Sequence, residues 1–208
     1  MRGGAVGDNH ASMARFSSWW SLVLVAAAAC ANHRNFVPRE NLNGWGPGGQ
    51  PAAVYPLASG EARGEVRLWS RGSDPGVGPD AGVTEVHVGF ELENTGSVPL
   101  QLAVDALQCD ELVVGEQRLA GVAAATTAGE PSALPGTTTR FHAWFRPGTG
   151  TPRDVVAFAV RFRIDAVAAP VLLQVTPFVR FVPESPWHDD PWLWSGGGFG
   201  WAGHYRGW

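Results

Sequence analysis

Residues 85–93 read EVHVGFELE and run straight into the turn Asn94-Thr95-Gly96-Ser97. Val86, Val88, Phe90 and Leu92 fall on one side of an extended chain, with Glu85, His87, Gly89, Glu91 and Glu93 on the other. A period of two with one apolar side marks a half-buried strand. Asn and Gly accept the positive φ that reverses such a strand.

The alternation recurs outward in both directions. Upstream, Glu65 to Arg71 (EVRLWSR) sets Val66 and Leu68 against Arg67, Trp69 and Arg71. Downstream, Leu100 to Leu107 predicts a third strand and Glu111 to Leu119 one or two short ones, followed by a loop rich in Ala, Thr, Gly and Pro as far as Gly136. Thr138 to Arg146 opposes Phe141, Ala143 and Phe145 to Arg140, His142, Trp144 and Arg146. In Val155 to Asp165, Val156, Phe158, Val160, Phe162 and Ile164 share a face. Val171 to Val182 groups Val171, Leu173, Val175, Val179 and Phe181, and its Pro177 requires an edge position or a bulge. No useful helical period follows residue 30.

About seven short alternating strands predict an all-β, antiparallel sandwich over residues 61–183. Strands such as VGFELENTGSVPLQL (88–102) and PGTTTRFHAWFRP (135–147) make this region similar to the immunoglobulin-like domains of bacterial envelope lipoproteins. That resemblance implies a sandwich fold and carries no catalytic motif. The Cys-Trp-Cys spacing of antibody domains is missing, so hydrophobic packing has to hold the layers together.

Residues 1–29 have the order of a secretory leader: Arg2 and Arg15, then the mostly apolar run Trp19 to Ala29. The run is shorter than the ~20 apolar residues that span a bilayer. Ala27-Ala28-Ala29-Cys30 resembles the lipobox of bacterial lipoproteins, although Ala27 stands where that family favours Leu. The resemblance implies lipid on the Cys30 sulfur, a membrane partner reached through it, and, with Ala31 rather than Asp next, outer-membrane sorting. Ordinary cleavage after an Ala-x-Ala fits the same residues and gives a secreted or periplasmic protein. The only other cysteine is Cys109. It is either a lone buried thiol or a disulfide partner of an unlipidated Cys30.

Residues 30–60, dense in Pro, Gly and Asn, read as a flexible tether. Residues 184–208 read as a tail, in which PWHDDPWLWSGGGFGWAGHYRGW (186–208) holds five of the ten tryptophans. With seven strands, the tail would leave the pole opposite the tether, and one strand more or fewer reverses that.

Composition narrows the function. A formal charge of −4 and no lysine give no basic stripe for nucleic acid. No P-loop, dinucleotide fingerprint, HExxH, CxxC or GxSxG occurs, so neither an enzyme nor a cofactor is expected. If the strands holding Trp69, His87 and Trp144 are neighbours, then Trp69, His87, His142 and Trp144 share an outer sheet face. That face is a candidate for binding a glycan or an envelope protein, unless the tether, the long loop or the tail covers it. Trp187, Trp192, Trp194 and Trp201 are candidate tail contacts, and His188, Asp189, Asp190 and His204 a weak metal set. Three readings stand: a lipid-anchored, non-catalytic interaction module of the cell envelope, a carbohydrate-binding module, and a metal-binding periplasmic accessory protein.

Overall fold

The computed structural model describes residues 35–76, 81–167 and 169–181. Twelve strands occupy them: β1 (Phe36–Pro38), β2 (Leu42–Trp45), β3 (Pro51–Ser59), β4 (Ala62–Pro75), β5 (Thr84–Asn94), β6 (Leu100–Leu102), β7 (Gln108–Val114), β8 (Gln117–Gly129), β9 (Ser132–Ala133), β10 (Thr138–Phe145), β11 (Val155–Ala166) and β12 (Ala169–Arg180). The strands run β1-β12-β11-β7-β8-β10-β5-β4-β3-β2, with β6 beside β11 and β9 beside β6. Every pairing is antiparallel.

The two ends of that path, β1 and β2, are joined only by Arg39, Glu40 and Asn41, and β1 also packs against β3 and β4. The sheet is therefore nearly closed into a barrel. It is not the simple seven-strand sandwich that the alternation predicts. Asn41 makes the corner with φ of 54°, a conformation Asn tolerates better than most residues. Its carbonyl accepts bonds from Asn43 N and Val54 N.

Two further expectations are corrected. The stretch read as a tether carries β1, β2 and β3, because Pro, Gly and Asn here serve tight turns and an edge. The stretch read as a long loop carries β8 and β9. The first half of β8 pairs with β7 and the second half with β10, so one strand serves both layers. Nearly all of β8 is exposed, which removes the alternating pattern that would have announced it. Leu100 to Leu107 is also shorter as a strand than expected: β6 stops at Leu102 and a 3-10 turn, Val104–Ala106, follows.

The core sits inside the curl. Val86, Val88, Phe90 and Leu92 of β5 are buried there, as the alternation requires. On β11, Phe158, Val160, Phe162 and Ile164 are buried, whereas Val156 is 49% exposed. A register shift between Val155 and Ala157 turns Val155 inward in its place. Phe158 stacks on Phe178 at 4.8 Å, and Phe162 meets Phe90 edge-on at 5.7 Å and Tyr55 at 5.6 Å. Each fully buried side chain of this size contributes about 1.5–3 kcal/mol over leaving it exposed.

On β12 the buried members are Thr176 and Phe178, whereas Leu173 and Val175 are exposed, as is Phe181 just beyond the strand. Pro177 sits where β1 pairing ends. Its carbonyl accepts from Arg39 N, so the missing N–H falls on the side where β1 ends and leaves the ladder to β11 intact. Cys109 is a free thiol buried in the core, and burial pushes its pKa up.

Candidate functional site

Strands β4, β5 and β10 lie side by side, and their outward side chains form cross-strand rows. This is the face that alternation assigns to Trp69, His87, His142 and Trp144, and the structure brings all four together.

The first row is ionic. Glu91 faces Arg67 on β4 and Arg140 on β10. Its two carboxylate oxygens accept from Arg67 Nη1 at 2.7 Å and Arg140 Nε at 2.8 Å. A carboxylate that is 8% exposed needs this compensation. Arg67 also contacts Glu65 and reaches Glu93 at 3.6 Å. At the far end of the face Arg146 pairs with Glu85 at 2.7 Å.

The second row is Trp69, Gly89 and His142. The Trp69 indole lies flat across Gly89, where any Cβ would overlap it. Gly46 also comes up against it, with a Cβ position only 2.7 Å from Trp69 Cγ. Gly46 belongs to the turn after β2, closed by Gly46 N to Gln50 O and Gly49 N to Gly46 O. Trp69 is consequently 1% exposed. Of the two outcomes left open for this face, Trp69 shows the covered one, since the stretch read as a tether caps it. Its indole N–H has no acceptor among the described residues.

The third row depends on a β-bulge. Between Trp69 and Gly72 the register slips, so Ser70 and Arg71 together face Val88. Ser70 Oγ donates to the His87 carbonyl at 2.7 Å and accepts from Gly72 N at 3.0 Å. The freed Arg71 N–H is directed at His87 Nδ1, 3.3 Å away. That bond fixes the tautomer: Nδ1 accepts, so Nε2 carries the proton and donates to His142 Nδ1 at 3.0 Å. His142 in turn keeps its proton on Nε2, a donor the pair itself does not use.

Both imidazoles are held neutral. Burial, then the His142 and Arg71 charges, lower the His87 pKa to about 3. Burial, then Arg71 and Arg140, lower that of His142. Trp144, half-buried, meets His87 edge-on at 5.2 Å and His142 at 6.1 Å. His142 meets the Trp69 ring edge-on at 6.1 Å.

This arrangement limits the chemistry. A proton relay near neutral pH needs a group that titrates there; His87, at about 3, does not, and the pKa of His142 is lowered as well. Metal coordination through His142 Nε2 would reverse both tautomers and set a proton on His87 Nδ1 against the Arg71 N–H. Among the described residues no cluster of three His, Cys, Asp or Glu side chains stands ready to hold a metal ion. What the face offers is a half-exposed indole beside an imidazole N–H donor, framed by compensated Arg and Glu pairs.

Sequence reasoning did not identify Gly46, Ser70 or Gly89 as members of this site. Gly89 carried a usable signal: a glycine inside a strand of large residues marks a close approach. Cys30, Trp187, Trp192, Trp194 and Trp201 lie outside the described residues, as do His188, Asp189, Asp190 and His204. No protein-family model matches the chain, and no curated protein or solved structure matches it significantly.

Proposed function

We propose that the chain is a non-catalytic, lipid-anchored cell-envelope protein whose β domain is an interaction module. The observation that carries the module reading is the outer face of β4, β5 and β10. Its ionisable groups are committed to one another, while Trp144 and His142 stay half-exposed. Side chains locked in this way suit a fixed contact surface better than a changing reaction centre. The anchor reading rests on the leader and on Ala27-Ala28-Ala29-Cys30.

Metabolic labelling with a fatty-acid analogue tests the anchor. Wild type takes up label and Cys30→Ala does not. A wild type without label, or equal label in both, contradicts the proposal.

Carbohydrate binding is a second reading, favoured by one pairing on this face. An indole beside an imidazole N–H suits the C–H face and a hydroxyl of a sugar ring. Trp144 alone would stack, because Trp69 is capped. Retention on peptidoglycan or envelope glycan should fall in Trp144→Ala and stay unchanged in Trp69→Phe. Equal retention in wild type and Trp144→Ala removes this reading.

A further inference from the structure

The outer face of β4, β5 and β10 carries one cation outside its ionic row. Its glutamates are all taken: Glu65, Glu91 and Glu93 meet Arg67, Glu91 also meets Arg140, and Glu85 meets Arg146. Arg71 stands apart. It is exposed, and among the described residues its guanidinium has neither an ion pair nor a hydrogen bond. The bulge that aims its N–H at His87 Nδ1 also brings its charge to bear on the histidine pair.

His142 adds a second donor. Its Nδ1 faces His87, so its Nε2–H lies on the far side of the ring. Burial first, then the positive charges of Arg71 and Arg140, lower its pKa. The ring therefore stays neutral in a positive local field, a setting that favours an anionic acceptor.

The indole next to this donor pair is open towards β8. Trp144 pairs with His87 on one side and Thr126 on the other, and His142 pairs with Ala128. Thr126 and Ala128 are short and exposed, so they form a low shelf beside the half-exposed indole. Indole, imidazole N–H and guanidinium thus share one surface and lack one kind of partner: an apolar ring face that carries an anion.

We propose that this surface binds an acidic sugar, a pyranose ring bearing a carboxylate. The proposal rests on the carbohydrate reading of this face and specifies the ligand's charge. The C–H side of the ring lies on Trp144, while the carboxylate accepts from His142 Nε2 and Arg71. A planar carboxylate matches the guanidinium fork, and a flat ring face matches indole. A neutral sugar leaves Arg71 unused, and a bare anion leaves Trp144 unused. The glutamates of the face do not repel the ligand strongly, since arginines already offset them.

The test is calorimetric titration of the protein with an oligogalacturonate and with its methyl ester, which keeps the rings and loses the charge. The acid should bind about tenfold more tightly than the ester, the worth of one charge-assisted contact. Arg71→Gln abolishes that difference and keeps the fold, because the Arg71 bond to His87 comes from the backbone. Trp144→Ala weakens both ligands, with urea unfolding verifying that the variant is folded. Equal affinity for acid and ester, lost in Trp144→Ala, overturns the acidic specificity and leaves the carbohydrate reading standing. Acid binding that Arg71→Gln leaves unchanged also overturns the proposal. Inorganic phosphate that displaces the oligogalacturonate at equal concentration marks an anion site without sugar recognition, and overturns it too. No binding of either ligand overturns the proposal, and equal glycan retention in wild type and Trp144→Ala then removes the carbohydrate reading with it.

Discussion

Acidification should unfold this protein through His87. In the unfolded chain the imidazole takes a proton near its ordinary pKa of 6.5, whereas in the fold it resists until about 3. Protonation thus favours the unfolded state. Stability is complete above about pH 6.5, falls as pH drops below that value, and levels off only below about 3. One pKa unit corresponds to about 1.4 kcal/mol, so going from pH 7 to pH 5 removes about 2 kcal/mol through His87 alone. His142, with its pKa also lowered, contributes in the same direction.

Below pH 5 carboxylates begin to titrate, so the informative window lies above it. Urea unfolding followed by tryptophan emission at pH 7, 6 and 5 gives the wild-type slope. His87→Gln removes the titrating ring and leaves an acceptor for Arg71 N–H and a donor for His142. The variant is less stable at pH 7, yet it should lose about 2 kcal/mol less between pH 7 and 5 than wild type. Identical pH dependence in the two proteins would refute the buried neutral pair, as would a His87 resonance titrating near 6.5.

Three substitutions probe the neighbouring rows and the core. Gly89→Ala forces a Cβ into the Trp69 indole and should cost about 1–3 kcal/mol in urea unfolding. Glu91→Gln leaves Arg67 and Arg140 without their shared carboxylate. It should lower stability by about 1–2 kcal/mol, an effect that shrinks in high salt because both arginines are partly exposed. The Cys109 thiol should stay unreactive towards a thiol reagent in the folded protein and react fully in denaturant, since it is buried in the core.

Much of the layout was legible where strands are covered on one side only. β5, β10 and β11 announce themselves through Phe90, Phe141, Phe158 and their partners two residues away. The same alternation places Arg67, Trp69, His87, His142 and Trp144 on one outer face. β8 gave no such signal, because Ala124 to Gly129 faces solvent on most sides and has little apolar content to alternate. β1 to β3 were masked by Pro, Gly and Asn residues that look like tether but close turns such as the one at Gly46.

Missing those strands had two consequences. It hid the cap over Trp69, and it hid the pairing that sets Phe181, where the described chain ends, beside Asn35, where it begins. The bulge at Ser70 and Arg71 was equally invisible, since one extra residue leaves no mark on composition. That single residue frees the N–H that fixes both histidine tautomers.

Cys30 is where the functional account is most directly exposed to test. The measurement is the mass of the N-terminal peptide of the mature protein isolated from membranes. The account predicts a peptide that begins at Cys30 and carries the added mass of lipid. A peptide that begins at Cys30 with an unmodified thiol would mean ordinary cleavage after Ala27-Ala28-Ala29, and would contradict it.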